Sequence, residues 1–371
     1  MNVDLNTEKA RRILDEVCLK HVNAPWKWLS LIVAVLVIGT VGYFAVGVAV
    51  RDHPEVRAAT AHSFLSRQSC IDCHAPIAAE WRESFHFRSL SGPFWARVRT
   101  RGAERVFAAL RVPCVNCHAP ANVLDLADNR HPVERVDAVQ LGVDCVSCHL
   151  SEQGIVGPGR STGAPHEVIV DARFQDAGLT SVEICGRCHA EAQANVVAEW
   201  QQTSFARRGI ACPDCHMPEV EAPVVSGGPV KARRSHRFRG DKDPDMLRKA
   251  LDTDISVRDD GSATVRITNS GAGHSVPAAG TNWLFVNVKV RDAEGILIEE
   301  QEREFGTREW IPGYLDFWPF HKVSRIPHGE SREIDLDLPA QHGSIFVELR
   351  YRDWFMLQDQ DIVFATFAQA Y

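Results

Sequence analysis

Hydrophobic and polar positions divide this chain into four stretches. Residues 28–50 run from Trp28 to Val50 without a charged side chain, long enough to cross a bilayer as a helix. The 27 residues before them set Val3, Leu5, Ile13, Leu14, Val17 and Leu19 among charges, the pattern of a short amphipathic helix. Beyond residue 251 the period falls to two. Ile255, Val257, Val265 and Ile267 alternate with polar residues around Asp260-Gly261, which predicts a hairpin. Further strands are predicted over 284–290, 296–300, 332–338, 346–351 and 362–368. Seven short strands in so little chain point to an antiparallel sandwich. Just before them, Asp243-Pro244 reads as a capped helix start with proline in the first turn. The stretch 51–250 is expected to be mainly helical or irregular, with little regular structure. The expected organisation is therefore an arm over 1–27, a transmembrane signal anchor over 28–50, a second domain over 51–250 and a β-sandwich over 251–371.

Charge gives the expected anchor a direction. Lys9, Arg11, Arg12, Lys20 and Lys27 precede it and only Arg51 follows closely, so the arm is expected to stay in the cytoplasm. Both the leading segment and the apolar run are longer than a cleaved signal peptide needs, although Ala45-Val46-Gly47 is a tolerable cleavage site. The expected location is the bacterial inner membrane, single-pass, with everything after Arg51 on the periplasmic side. Net charge is −7, which argues against a nucleic-acid partner.

Cysteine spacing supplies the chemistry. Five pentapeptides read Cys-x-x-Cys-His: Cys70–His74, Cys114–His118, Cys145–His149, Cys185–His189 and Cys212–His216. This is the attachment sequence of c-type haem. Two thiols bond the porphyrin edge, and the adjoining histidine is the proximal iron ligand. The pairs Cys70 and Cys73, Cys114 and Cys117, Cys145 and Cys148, Cys185 and Cys188, and Cys212 and Cys215 consume ten of the eleven cysteines. Cys18, in the arm, is left over. Zinc, iron–sulfur and disulfide readings of the pairs give no reason for a histidine after every second cysteine. Five covalent haems are therefore expected, with His74, His118, His149, His189 and His216 as proximal ligands. Roughly one haem per 30 to 40 residues leaves too little chain for an ordinary core, so short helices should end at each attachment site around porphyrins that fill the interior.

Function turns on the far side of each iron. A second strong ligand makes an electron carrier, and an open position admits a substrate. Outside the motifs and the arm, ten histidines remain, against three methionines beyond the apolar run. Mostly bis-histidine ligation follows. The candidate distal ligands are His86, His236, His166, His62, His131 and His274. Glu80-Trp81 and Glu199-Trp200 open a partial repeat in which His86 in the first copy is replaced by Phe205 in the second. The basic residues of 231–249 suit either neutralisation of propionates or a solvated face. Trp310, Tyr314, Phe317, Trp318 and Phe320 read as packing rather than a quinone site.

Two strings carry a resemblance. Gly209-Ile-Ala-Cys212-Pro-Asp-Cys215-His216-Met-Pro, followed by Ser235-His236-Arg-Phe-Arg-Gly240, resembles the nitrification-type tetrahaem cytochrome c family, as does a first motif followed by Trp81 and His86. The likeness covers about residues 60–245 and implies distal roles for His86 and His236. The stretch Asn269–Pro277 resembles a β-domain appended to many such cytochromes. Five motifs instead of four, and a second Trp segment without its histidine, depart from that pattern. A rival resemblance is to membrane-anchored multihaem quinol dehydrogenases, which usually carry a methionine soon after the first motif where this chain has Ala75-Pro-Ile-Ala78. The expected function is electron transfer through five haems, from a quinol-linked donor to periplasmic redox acceptors. The alternatives are a haem enzyme acting on a small nitrogen or sulfur compound, and a cytochrome subunit of a larger quinol-oxidising membrane complex. No Cys-x-x-Cys-Lys variant marks an enzyme site.

Overall fold

Short helices come first in chain order. α1 (Arg67–Cys73), α2 (Ala75–Glu83), α3 (Cys114–His118) and α4 (Cys145–His149) are followed by a small sheet of β1 (Leu150–Ser151), β2 (Gly154–Gly157) and β3 (Ile169–Val170). Then come α5 (Ala172–Gln175), α6 (Ser181–His189), α7 (Val196–Gln201), α8 (Ser204–Arg207) and α9 (Cys212–His216). The hairpin β4 (Glu219–Pro223) and β5 (Val230–Arg234) and the helix α10 (Pro244–Ala250) complete this part. The computed structural model describes residues 67–90, 114–126, 132, 142–159, 166–175, 181–190, 195–278, 282–308, 322–339, 342–353 and 361–371.

Two expectations are corrected here. Among the described residues no helix is long and apolar enough to cross a membrane. The longest described helices have nine residues, which is about 14 Å of rise against a hydrocarbon core of about 30 Å. The arm 1–27 and the run 28–50 lie outside the described residues, and a single-pass anchor in the bacterial inner membrane is not supported. The chain is also less helical than expected. An attachment pentapeptide needs little more than one turn, strands β1 to β3 run between the third and fourth of these turns, and β4 and β5 follow the fifth.

The helical part has little side-chain core of its own. Trp81 packs with Ile71 and Ala78, flanked by Phe87 and Phe238. Trp200 packs with Val182 and Ala211, flanked by Phe205. Each is a small island around one indole.

The chain from 251 onward buries far more. β6 (Leu251–Val257), β7 (Ser262–Asn269), β8 (Asn282–Asp292), β9 (Leu297–Arg308), β10 (Lys322–Val323), β11 (Ser331–Asp337), β12 (Gly343–Asp353) and β13 (Ile362–Ala370) form two antiparallel sheets. One has the order β10-β9-β8-β12-β13 and the other β11-β7-β6. The period-two pattern explains the inner faces. On β11, Ile334 and Leu336 are buried while Glu333, Asp335 and Asp337 face water. Central β8 is buried nearly throughout, because Arg350 and Arg352 lie over Phe285 on its outer face. Asp243 caps α10 by accepting from the backbone of Asp245 and Met246, and Leu247 and Ala250 join the sandwich core.

The loop after β7 is held from several sides. Asn269 is fully buried, and its amide donates to the carbonyls of His274 (2.8 Å) and Ile326 (2.9 Å). Its Oδ1 accepts from Ala272 N. Gly271 passes so close to α10 that a Cβ there would sit 1.7 Å from the Lys249 carbonyl oxygen. Gly271→Ala is expected to shift the loop and to cost about 1–3 kcal/mol, read as a lowered midpoint in chemical denaturation. An unchanged midpoint would show that the backbone here yields freely.

Candidate functional site

The pentapeptide turns set the geometry. Cysteines at i and i+3 share a helix face, and the histidine follows at the helix end. Asp144 accepts from Ser147 N to start α4, and Asp214 accepts from Ala211 N at α9. Four of the five motif histidines then donate Nδ1–H to a backbone carbonyl. His74 donates to Val224 (3.1 Å), His118 to Ser89 (2.9 Å), His149 to Val156 (3.0 Å) and His216 to Arg239 (2.5 Å). A bond at Nδ1 fixes the tautomer and leaves the Nε2 lone pair for a metal.

Four motif histidines face a second histidine. His74 faces His166 at 6.0 Å between ring centres, and His189 faces His86 at 6.3 Å. His149 faces His236 at 6.2 Å, and His216 faces His274 at 6.3 Å with only 14° between the planes. Two imidazoles binding one ion from opposite sides, with metal–nitrogen bonds of about 2.0–2.1 Å, would put their centres about 6.3 Å apart. The spacing therefore fits one iron between each pair, with four ligand positions left for a porphyrin. Among the described residues no group of three or more His, Cys, Asp or Glu is arranged to hold a bare ion. His236 and His274 repeat the Nδ1 pattern, donating to Arg234 and Ser275. His166 differs, with its Nδ1 buried and without a partner.

Burial favours the neutral form of five of these rings, the form that metal binding requires. Burial first, and then His189, His118 and His216, push His86 down to about 3. Burial and neighbouring histidines push His189 down to about 4, and burial and His149 push His236 down to about 4. Burial also lowers His149 and His274, although a backbone bond opposes it in each.

The thiols show which motifs are neighbours. A hydrogen bond to Cys70 raises the Cys145 thiol. One to Cys212 raises Cys185, and one to Cys117 raises Cys188. Burial pushes Cys148 up to about 12, and its charge also acts on Cys185 and Cys188. Motif one thus lies beside motif three, and motif four lies beside motifs two, three and five.

Of the sequence candidates, His86, His166, His236 and His274 each stand opposite a motif histidine. His62 and His131 lie outside the described residues, as do Trp310, Tyr314, Phe317, Trp318 and Phe320. His328 is held by Ala272 O and by Ser204 Oγ and packs on Phe205. The basic stretch 231–249 is largely paired within the protein: Arg233 with Glu80, Arg234 with Asp214, Arg237 with Glu83, and Arg239 with Asp243. Sequence reasoning did not single out Arg233 or Arg325, whose carboxylate partners are far away in the chain. It noticed the Glu-Trp repeat but gave it no task.

Comparison with known proteins agrees with this geometry. Residues 69–150 match the family model described as cytochrome c554 and c-prime. No curated protein matches the chain. A penta-heme cytochrome c552 from Thermochromatium tepidum superposes with a TM-score of 0.59 at 18% identity, covering 83% of this chain and 99% of that one. An ApaA protein structure from Bordetella pertussis covers 32% of this chain and 94% of its own, at 16% identity and a TM-score of 0.18, too low to inform the fold. With the attachment pentapeptides, the match over residues 69–150 supports c-type haem binding and haem-based electron transfer, and the 18%-identical structure shows a shared fold.

Proposed function

We propose that this protein binds five c-type haems, one at each pentapeptide, and relays electrons between redox protein partners. The carrying observation is the four histidine pairs at 6.0–6.3 Å. The assigned ligand pairs are His74 with His166, His189 with His86, His149 with His236, and His216 with His274. Each bound haem would supply a reversible one-electron couple, and two imidazoles hold its potential lower than a histidine–methionine pair would. The chain does the rest. It fixes His74, His149, His216, His236 and His274 by backbone bonds, lowers the proton affinity of His86, His149, His189, His236 and His274 by burial, and sets the attachment helices side by side. Their contacts give the order one, three, four, five, with motif two beside motif four. A histidine on both sides leaves no position for a substrate at these four sites, which favours a carrier over an enzyme. A quinol-linked donor remains part of the proposal, supported by the likeness in sequence to multihaem cytochromes.

Haem content and spin state test this. Haem released per polypeptide, measured as the pyridine haemochrome, is expected to be five. Electron paramagnetic resonance of the oxidised protein is expected to show low-spin iron at the four paired sites. Fewer than five haems would remove the attachment claim, and high-spin iron at two or more sites would remove the ligand pairs.

A further inference from the structure

The two Glu-Trp pairs make the same four contacts at two different sites. Glu80 and Trp81 lie on α2. The Glu80 carboxylate takes both Nη atoms of Arg233, at 2.8 and 3.0 Å, and its Oε2 also accepts from the backbone N of His236 at 2.8 Å. The Trp81 indole N–H donates to the carbonyl of Val143, two residues before Cys145, at 3.0 Å. His236 and the motif starting at Cys145 are the two sides of one site, since His236 faces His149.

Glu199 and Trp200 lie on α7. The Glu199 carboxylate takes both Nη atoms of Arg325, at 2.5 and 3.5 Å, and its Oε2 accepts from the backbone N of Ser275 at 2.8 Å. Ser275 follows His274. The Trp200 indole N–H donates to the carbonyl of Ile210, two residues before Cys212, at 2.9 Å. His274 and the motif starting at Cys212 are again the two sides of one site.

We infer that each Glu-Trp pair is a positioning brace that spans one haem site, the indole holding the cysteine side and the carboxylate holding the distal histidine side. The repeat has a reason in the layout. α2 follows motif one, whose helix α1 packs against α4 of the braced site, and α7 follows motif four, whose helix α6 packs against α9 of the other. A helix leaving one attachment site thus steadies the next along the row. The arginines make the carboxylates rigid. Both partners of each pair are largely buried, with side-chain exposures of 8% and 15% for Arg233 and Glu80, and 13% and 25% for Arg325 and Glu199. Ser84 and Thr203, at matching places in the repeat, close each helix by donating to the tryptophan carbonyl.

This inference rests on the ligand pairs proposed above, and the test separates the two. The full-length holoprotein is compared with Glu80→Gln, Glu199→Gln, Trp81→Phe and Trp200→Phe, each also made with the distal histidine of its own site replaced by alanine. Glu80→Gln and Trp81→Phe are expected to change one low-spin signal, the same one that His236→Ala removes. Glu199→Gln and Trp200→Phe are expected to change the one that His274→Ala removes. On top of the matching histidine replacement each brace variant should add nothing to the spectrum. Glu80→Asp should restore part of the signal. The phenylalanine variants keep an aromatic ring and remove the N–H donor with the pyrrole half of the indole, so they serve if the glutamine variants do not fold. Brace variants that carry five haems with all low-spin signals and midpoint potentials unchanged would overturn the brace while leaving the ligand pairs intact. Histidine variants without any spectral change would overturn the ligand pairs themselves.

Discussion

Replacing His274 with alanine is expected to convert one low-spin haem to high-spin and to leave the others as they were. His274 stands 6.3 Å from His216 with its ring plane nearly parallel, and both rings have Nδ1 engaged by a backbone carbonyl. Burial also lowers the affinity of His274 for protons, so its free nitrogen is available to a metal. Removing it takes away one of two strong axial ligands, and a single imidazole leaves the iron with an open position. The electron paramagnetic resonance spectrum should gain one high-spin component, and the midpoint potential of that haem should move. Free imidazole added to the variant should fill the gap and restore the low-spin signal. A spectrum identical to that of the unaltered protein would mean that another group ligates this iron.

The second large effect concerns the sandwich. Leu349 on β12 is fully buried between Val286 on β8 and Ala365 on β13. Leu349→Ala is expected to cost about 2–5 kcal/mol, a large part of the roughly 5–15 kcal/mol typical of a whole domain. The loss should appear at a haem as well. His274 sits on the loop leaving β7, and that loop is held by Asn269 and by the bridge between Val276 and Ile326. On heating, the loss of strand signal in circular dichroism and the appearance of one high-spin haem should occur together, both at lower temperature than in the unaltered protein. A haem spectrum that stays constant while the strands melt would uncouple the sandwich from the site.

Local signals carried much of this into the sequence. The pentapeptides place ten cysteines and five histidines by spacing alone, because covalent attachment needs both thiols on one helical turn. The strands from β6 to β13 follow an alternation that burial on one face enforces. Residues far apart were harder. Nothing near His166 or His274 says which motif histidine each will face, since the fold brings them together from distant parts of the chain. The Glu-Trp repeat was visible, but its meaning depends on Arg233, Arg325, Val143 and Ile210, none of which the repeat contains. The uncharged run 28–50 led to a membrane-spanning expectation that the structure does not support. That run lies outside the described residues, and no described helix is long and apolar enough to cross a membrane.

His274 lies beyond every attachment pentapeptide in the chain. In the proposed pairing with His216, His274 belongs to the strand-rich part of the chain that runs on to β13. Under the proposed pairing, a stop placed after His236 and before His274 is expected to leave all five pentapeptides, and with them the red colour, while the site at His216 lacks its second histidine.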